Sequence, residues 1–188
     1  LSRGGVPKTR VFTKIWLSLF GQWDWRGVPV IPPEVILLPN WSPITIYDLS
    51  SWARATIVPL LILLDRKPVK AIPESAHIDE LYPLPRSETD YSTSRPNRLV
   101  GWETLFYAGD AVLRQLERLP WKPTRGQAIK RAEQWIIDHQ EADGSWGGIQ
   151  PPWVYSLMAL HTLGYSTDHP VMANGMTGFD NFSIEEED

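Results

Sequence analysis

Residues 28–43, VPVIPPEVILLPNWSP, carry five prolines within an otherwise apolar run. Each proline removes a backbone donor, fixes φ and pushes the residue before it toward extended backbone. The segment therefore reads as apolar but not as a good strand, and what lies around it reads as helix. RVFTKIWLSLFG (10–21) sets Val11, Ile15 and Leu19 beside Phe12 and Trp16 on adjoining helical strips, with Gly21 as a C-cap. SSWARATIVPLLILLDR (50–66) follows, with a Ser N-cap, apolar spacing at Ile57, Leu60, Leu61 and Leu64, and a kink expected near Ala55 where Pro59 withholds a hydrogen bond.

Residues 67–97 are polar and rich in Pro and Ser, a connection long enough to read as a functional loop or a wrapping segment. Beyond it GWETLFYAGDAVLRQLERL (101–119) is amphipathic through Leu105, Phe106, Val112, Leu113 and Leu116. TRGQAIKRAEQWIIDHQ (124–140) offers Ala128, Ile129, Ala132, Trp135, Ile136 and His139, and a last helix runs from Pro151-Pro152 to Gly164. Helix and loop recur without convincing strands, so the fold class is all-α, with paired helices packed in layers.

Composition narrows the function. Ten Trp against no Cys exclude thiolate metal sites and disulfides, and the net charge of -4 without a basic stripe gives no case for nucleic acid. No run approaches the roughly 18 apolar residues that span a bilayer; IVPLLILL (57–64) is the longest.

QEADGSWGGIQPPW (140–153) concentrates the unusual chemistry. Asp143-Gly144 suits a tight turn, Gln140 can satisfy backbone groups at a helix joint, and Trp146 can fold back onto the Gln140 amide, so that Gln140, Gly144 and Trp146 form a structural clasp between two helices. Gly147-Gly148 then permits close backbone approach, and Gln150 stands among Ile149, Pro151 and Trp153 at a helix start, where a polar amide needs water or a partner.

QEADGSW is similar to the QW repeat of triterpene cyclases, and VFTKIWLSLFG, PPE, SSWARATIV and DGSWGGIQPPWVYSLMAL, between about Arg10 and Leu163, resemble squalene-hopene cyclases in the same order. The resemblance implies an α/α-barrel (toroid), incomplete here, with residues 1–188 part of the smaller barrel domain of a two-domain enzyme that cyclises squalene to hopene or hopanol by a proton-initiated carbocation cascade. It implies no cofactor and no metal. It also implies monotopic attachment to a membrane at the cytoplasmic face, with the region from Gly101 to Val112 near the channel mouth and Trp102 and Phe106 toward the lipid, and it is compatible with a homodimer. By the same resemblance Trp52 is a cation-stabilising wall residue and Gln150 holds the terminating water; Phe12, Ile57, Ile149 and Pro151 contact substrate; Arg10, Trp16 and Tyr155 support the water network. The D-x-D-D acid of that family does not occur in this sequence, which is expected to be a partial chain, inactive alone.

Other classes fit less well. On residue chemistry alone Arg10 reads as a solvated charge, Trp16 and Trp52 as core and Tyr155 as a helix-face contact. A zinc-dependent prenyltransferase subunit lacks its Cys, and a Trp-rich sugar-binding module would be a β-sandwich. A non-catalytic helical-repeat or isoprenoid-binding protein remains the alternative.

Overall fold

The computed structural model describes residues 4–43, 45–92 and 101–182, without the side chains of Trp102, Glu103 and Phe106. Among the described residues there are helices and short 3-10 turns and no strand. The helices are α1 (Val11–Leu19), α2 (Ser51–Arg66), α3 (Trp102–Glu117), α4 (Arg125–Asp138), α5 (Gln150–Thr162) and α6 (Pro170–Asn181). They fall into two compact units, each built from two separate stretches of chain: Leu1–Val30 with Lys67–Pro120, and Ile31–Arg66 with Trp121–Asp188.

The first unit holds α1 and α3. α1 ends as its glycine suggests: Gly21 takes φ 67°, its N–H reaches the Ser18 carbonyl at 3.1 Å and the Gln22 N–H reaches Leu17 at 2.7 Å, closing the last turn in a Schellman motif. The inward face of α1 is Ile15, Ser18 and Leu19, while Val11 and Phe12 are exposed. Residues 67–92 wrap against the end of α1. The buried Gln22 side chain accepts from the Ile78 N–H at 3.2 Å and from Arg86, the Tyr82 hydroxyl donates to the Gln22 carbonyl, and Lys70 N–H donates to Leu19 at 2.7 Å. Lys14 lies over the Trp23 ring at 4.5 Å, and burial holds its ammonium below the usual lysine range. On α3, Asp110 and Arg114 pair at 2.7 Å, and Arg114 donates to the carbonyls of Arg26 and Val28. The opposite side of α3 carries Leu105, Val112 and Leu116, and Leu119 follows; all four are more than half exposed.

In the second unit α2 is the centre. Val58 to Leu64 are all buried, so the helix is enclosed on every side instead of along the single stripe of Ile57, Leu60, Leu61 and Leu64 that its spacing suggests; Ile57 itself is half-buried. α2 runs unbroken through Pro59. It packs on α4, on α5 and on a 3-10 turn, Pro33–Leu37, that the proline-rich segment forms while burying Pro33 and Ile36. α4 presents Ala128, Ile129, Ala132, Trp135 and Ile136 to the core, as its period requires. Arg125, in the first turn of α4, bridges Glu34 of the 3-10 turn at 2.8 Å and Asp65 at the end of α2 at 2.5 Å. α5 begins at Gln150, one residue before the proline pair, and ends with Gly164 at φ 99°, where Gly164 N–H to His161 and Tyr165 N–H to Leu160 repeat the Schellman pattern.

α6 has no counterpart in the sequence reading, because Gly175 and Gly178 lower its helical propensity and blur its period. Both glycines are there for contact. A Cβ at Gly175 would meet Leu157 at 2.8 Å and the Trp146 ring at 3.1 Å, and one at Gly178 would fall on the Asp143 carbonyl oxygen.

Candidate functional site

The stretch 140–153 lies wholly in the second unit and divides into a clasp and a pocket. In the clasp, the Gln140 amide donates to the carbonyls of Gly144 at 3.2 Å and Val171 at 2.8 Å, tying the turn to the first turn of α6. Trp146 is fully buried and its indole N–H donates to the Ile136 carbonyl in the last turn of α4 at 2.7 Å. The joint therefore works through hydrogen bonds at both helix ends. Asp143 accepts from the Ser145 N–H at 2.9 Å, and that bond holds its carboxyl below the usual carboxylate range. Gly144 takes φ 85°, and a side chain there would strike the Asn174 carbonyl. All three clasp residues thus have structural work to do.

The pocket follows directly. Gly147 and Gly148 have φ 72° and 62°, so both are needed for backbone handedness; a Cβ on Gly148 would meet nothing, which replaces the expected close approach at that position. Ile149 is the N-cap of α5 and Gln150 its first residue, and Pro151 and Pro152 occupy the next two positions. A helix start normally presents four unpaired N–H groups; here two are missing, so only the amides of Ile149 and Gln150 remain. The helix end is poor in donors, and the exposed Gln150 side chain, which makes no hydrogen bond among the described residues, becomes the main polar group beside it.

Around Gln150 lies a cavity of about 180 Å³ lined by Gly148, Ile149, Trp153, Phe179 and Phe182. Trp153 donates its indole N–H to the Gly175 carbonyl at 2.9 Å, which fixes the ring, and Phe179 and Phe182 meet it edge-on, each with centroids 5.5 Å away. One amide thus faces three aromatic rings. Trp153 sits three residues after Gln150 and was legible as its neighbour on the helix; Phe179 and Phe182 were not, since the helix that carries Phe179 was unread.

The other expected site residues are placed as follows. Trp52, in the first turn of α2, is 60% exposed; it shares α2 with Ile57, and α2 packs on α5, which carries Gln150, Pro151 and Tyr155. Tyr155 is buried, and five residues separate it from Gln150, about 140° around the helix, so the two side chains leave α5 in different directions. Arg10, Phe12 and Trp16 belong to the first unit, at the N-cap and first two turns of α1. Arg10 is exposed, Phe12 is 48% exposed, and the half-buried Trp16 stacks on Phe20 with centroids 6.4 Å apart. The expected lipid-side residues Trp102 and Phe106 lie outside the described side chains. Among the described residues no group of three His, Asp or Glu side chains is placed to hold a metal ion, and no helix is long and apolar enough to cross a membrane.

Comparison with known proteins gives the family of this all-helical chain. The model of the squalene-hopene cyclase N-terminal domain matches residues 1–188. The squalene-hopene cyclase of Alicyclobacillus acidocaldarius is 42% identical over 184 residues, 98% of this chain and 28% of that protein. Dammaradiene synthase of Dryopteris crassirhizoma is 39% identical over 100% of this chain and 27% of its own length, and a squalene hopane cyclase of Aspergillus fumigatus is 38% identical over 96% and 25%. The chain is therefore related by descent to terpene cyclases. It belongs to the squalene-hopene cyclase N-terminal domain family, and it spans about a quarter of the length of these relatives.

Proposed function

We propose that this chain is part of a longer squalene-hopene cyclase, in the smaller of two α/α-barrel domains, and that it supplies cavity wall and the group that ends the reaction. The observation that carries the reading is Gln150: a side-chain amide with no hydrogen-bond partner among the described residues, at a donor-poor helix start, lining an aromatic pocket. A carbocation cascade has to be kept from bulk water until its last step, and apolar walls do that. Trp52, Phe12, Ile57, Ile149 and Pro151 are the proposed substrate-facing groups, with the Trp52 ring face lowering the energy of a passing cation. Gln150 orients the water that ends the cascade, with Arg10, Trp16 and Tyr155 as the proposed supporting partners. The initiating acid is supplied by the rest of the enzyme, since this sequence holds no D-x-D-D string.

The test is turnover of squalene by the full-length enzyme, read as cyclised hydrocarbon and alcohol by gas chromatography, with the 188-residue chain alone expected to give neither. Trp52→Ala is expected to lower kcat/KM roughly tenfold, ~1.4 kcal/mol, while Trp52→Phe keeps most of the rate because it keeps a π face. Equal losses would remove Trp52 from the wall. A full-length protein that folds, binds squalene and returns it unchanged would favour the isoprenoid-binding alternative.

Squalene is nearly insoluble in water, so the enzyme is proposed to collect it from the cytoplasmic face of a membrane without spanning it. The exposed strip of Leu105, Val112, Leu116 and Leu119 supports this, because four large apolar side chains in one row suit an interfacial helix. In liposome flotation, replacing Leu105, Val112 and Leu116 together by Ser is expected to release the full-length enzyme while its helical circular dichroism stays unchanged. Retained binding would place the attachment elsewhere.

A further inference from the structure

Phe179 and Phe182 line the Gln150 pocket although neither lies near it in sequence. They come from α6 and its C-cap, which is held in place twice over: Gln140 bonds the Val171 carbonyl and Trp153 bonds the Gly175 carbonyl. The clasp that reads as structural therefore also fixes the far wall of this pocket. Gln150 is the polar side chain that lines the pocket, so how many waters stay, and where, is set by the three rings.

We propose that Phe179 and Phe182 are product-determining residues, which limit the water that reaches the final cation beside Gln150. This rests on the assignment of Gln150 to the terminating step. Two endings compete there. In the first, a single water accepts a proton from a carbon next to the cationic centre; the C–H bond breaks, its electrons form the alkene, and hydronium leaves. In the second, a water oxygen donates a lone pair to the cationic carbon, a C–O bond forms, and a second water removes the proton to leave the alcohol. The second ending needs two waters within reach, and the first needs one. Each ring that fills space beside Gln150 lowers the number of waters within reach, and so shifts the balance toward the alkene.

The test uses the full-length enzyme with squalene, measuring the ratio of alcohol to alkene. Phe179→Ala opens space for roughly three more waters at ~30 Å³ each, and the ratio is expected to rise about threefold, with Phe179→Leu between the two. Phe182, 62% exposed at the C-cap of α6, can be truncated with little cost to the fold, and Phe182→Ala is expected to move the ratio in the same direction. An unchanged ratio in Phe179→Leu and Phe182→Ala, with product still formed, overturns the proposal and leaves the cyclase reading standing. Wild-type enzyme that forms no cyclised product, or Gln150→Leu that forms product at the wild-type ratio and rate, overturns the assignment on which it rests.

Discussion

Trp146→Ala lowers the unfolding free energy of the second unit by about 4 kcal/mol, while Trp146→Phe lowers it by only about 1.5 kcal/mol. The indole is fully buried, rests within van der Waals reach of Gly175 and donates its N–H to the Ile136 carbonyl. Truncation to Ala leaves a cavity between α4 and α6 and takes the indole donor from the Ile136 carbonyl, which keeps only the long 3.4 Å bond from the His139 N–H. Phe keeps most of the apolar volume and loses the hydrogen bond. Urea titration followed by far-UV circular dichroism measures both, and losses that are equal for the two variants would mean that the volume of the ring contributes nothing.

Arg125→Met is the second large effect, expected at about 3 kcal/mol. Arg125 lies between Glu34 and Asp65, which come from the proline-rich turn and the end of α2, and its side chain is only 16% exposed. Without the guanidinium, Glu34 and Asp65 remain largely out of water, with the half-exposed Arg66, 3.6 Å from Asp65, as the remaining cation beside them. Replacing all three together, Arg125→Met with Glu34→Gln and Asp65→Asn, is expected to recover most of the loss, because the penalty comes from unpaired charge more than from a missing attraction. If the triple variant is no more stable than the single one, the bridge matters through packing of the arginine stem and the electrostatic account fails.

How much of this was legible follows from what a local pattern can encode. α4 shows its buried face in sequence because one side packs and the other is wet, so its period survives. α1 and α5 show their ends because Gly21 and Gly164 sit where only a positive φ closes the last turn. α2 conceals its true burial, since a helix enclosed on all sides has no polar face to set against an apolar one. α6 conceals itself, because the glycines that let Trp146, Leu157 and Trp153 approach its backbone are the residues that argue against a helix. The site divides in the same way. Gln150, Ile149 and Trp153 are neighbours in one stretch and could be read together, whereas Phe179 and Phe182 reach them only through tertiary packing, as Glu34 and Asp65 reach Arg125.

The interleaving of the two units matters for a growing chain. α2 is synthesised early, but the helices that enclose it, α4 and α5, end at Asp138 and Thr162, long after Arg66. Between them the ribosome has to make Lys67–Pro120, which belongs to the other unit. For that whole interval the segment IVPLLILL has none of its final partners from α4 and α5, and a run of this apolarity is a target for self-association until they arrive. Pro59 stands in the middle of it, where it denies a neighbouring chain one hydrogen bond of a pairing ladder. The residue that costs the finished helix a bond thus protects the unfinished one, and replacing it to stabilise α2 would trade yield in the cell for stability in the tube.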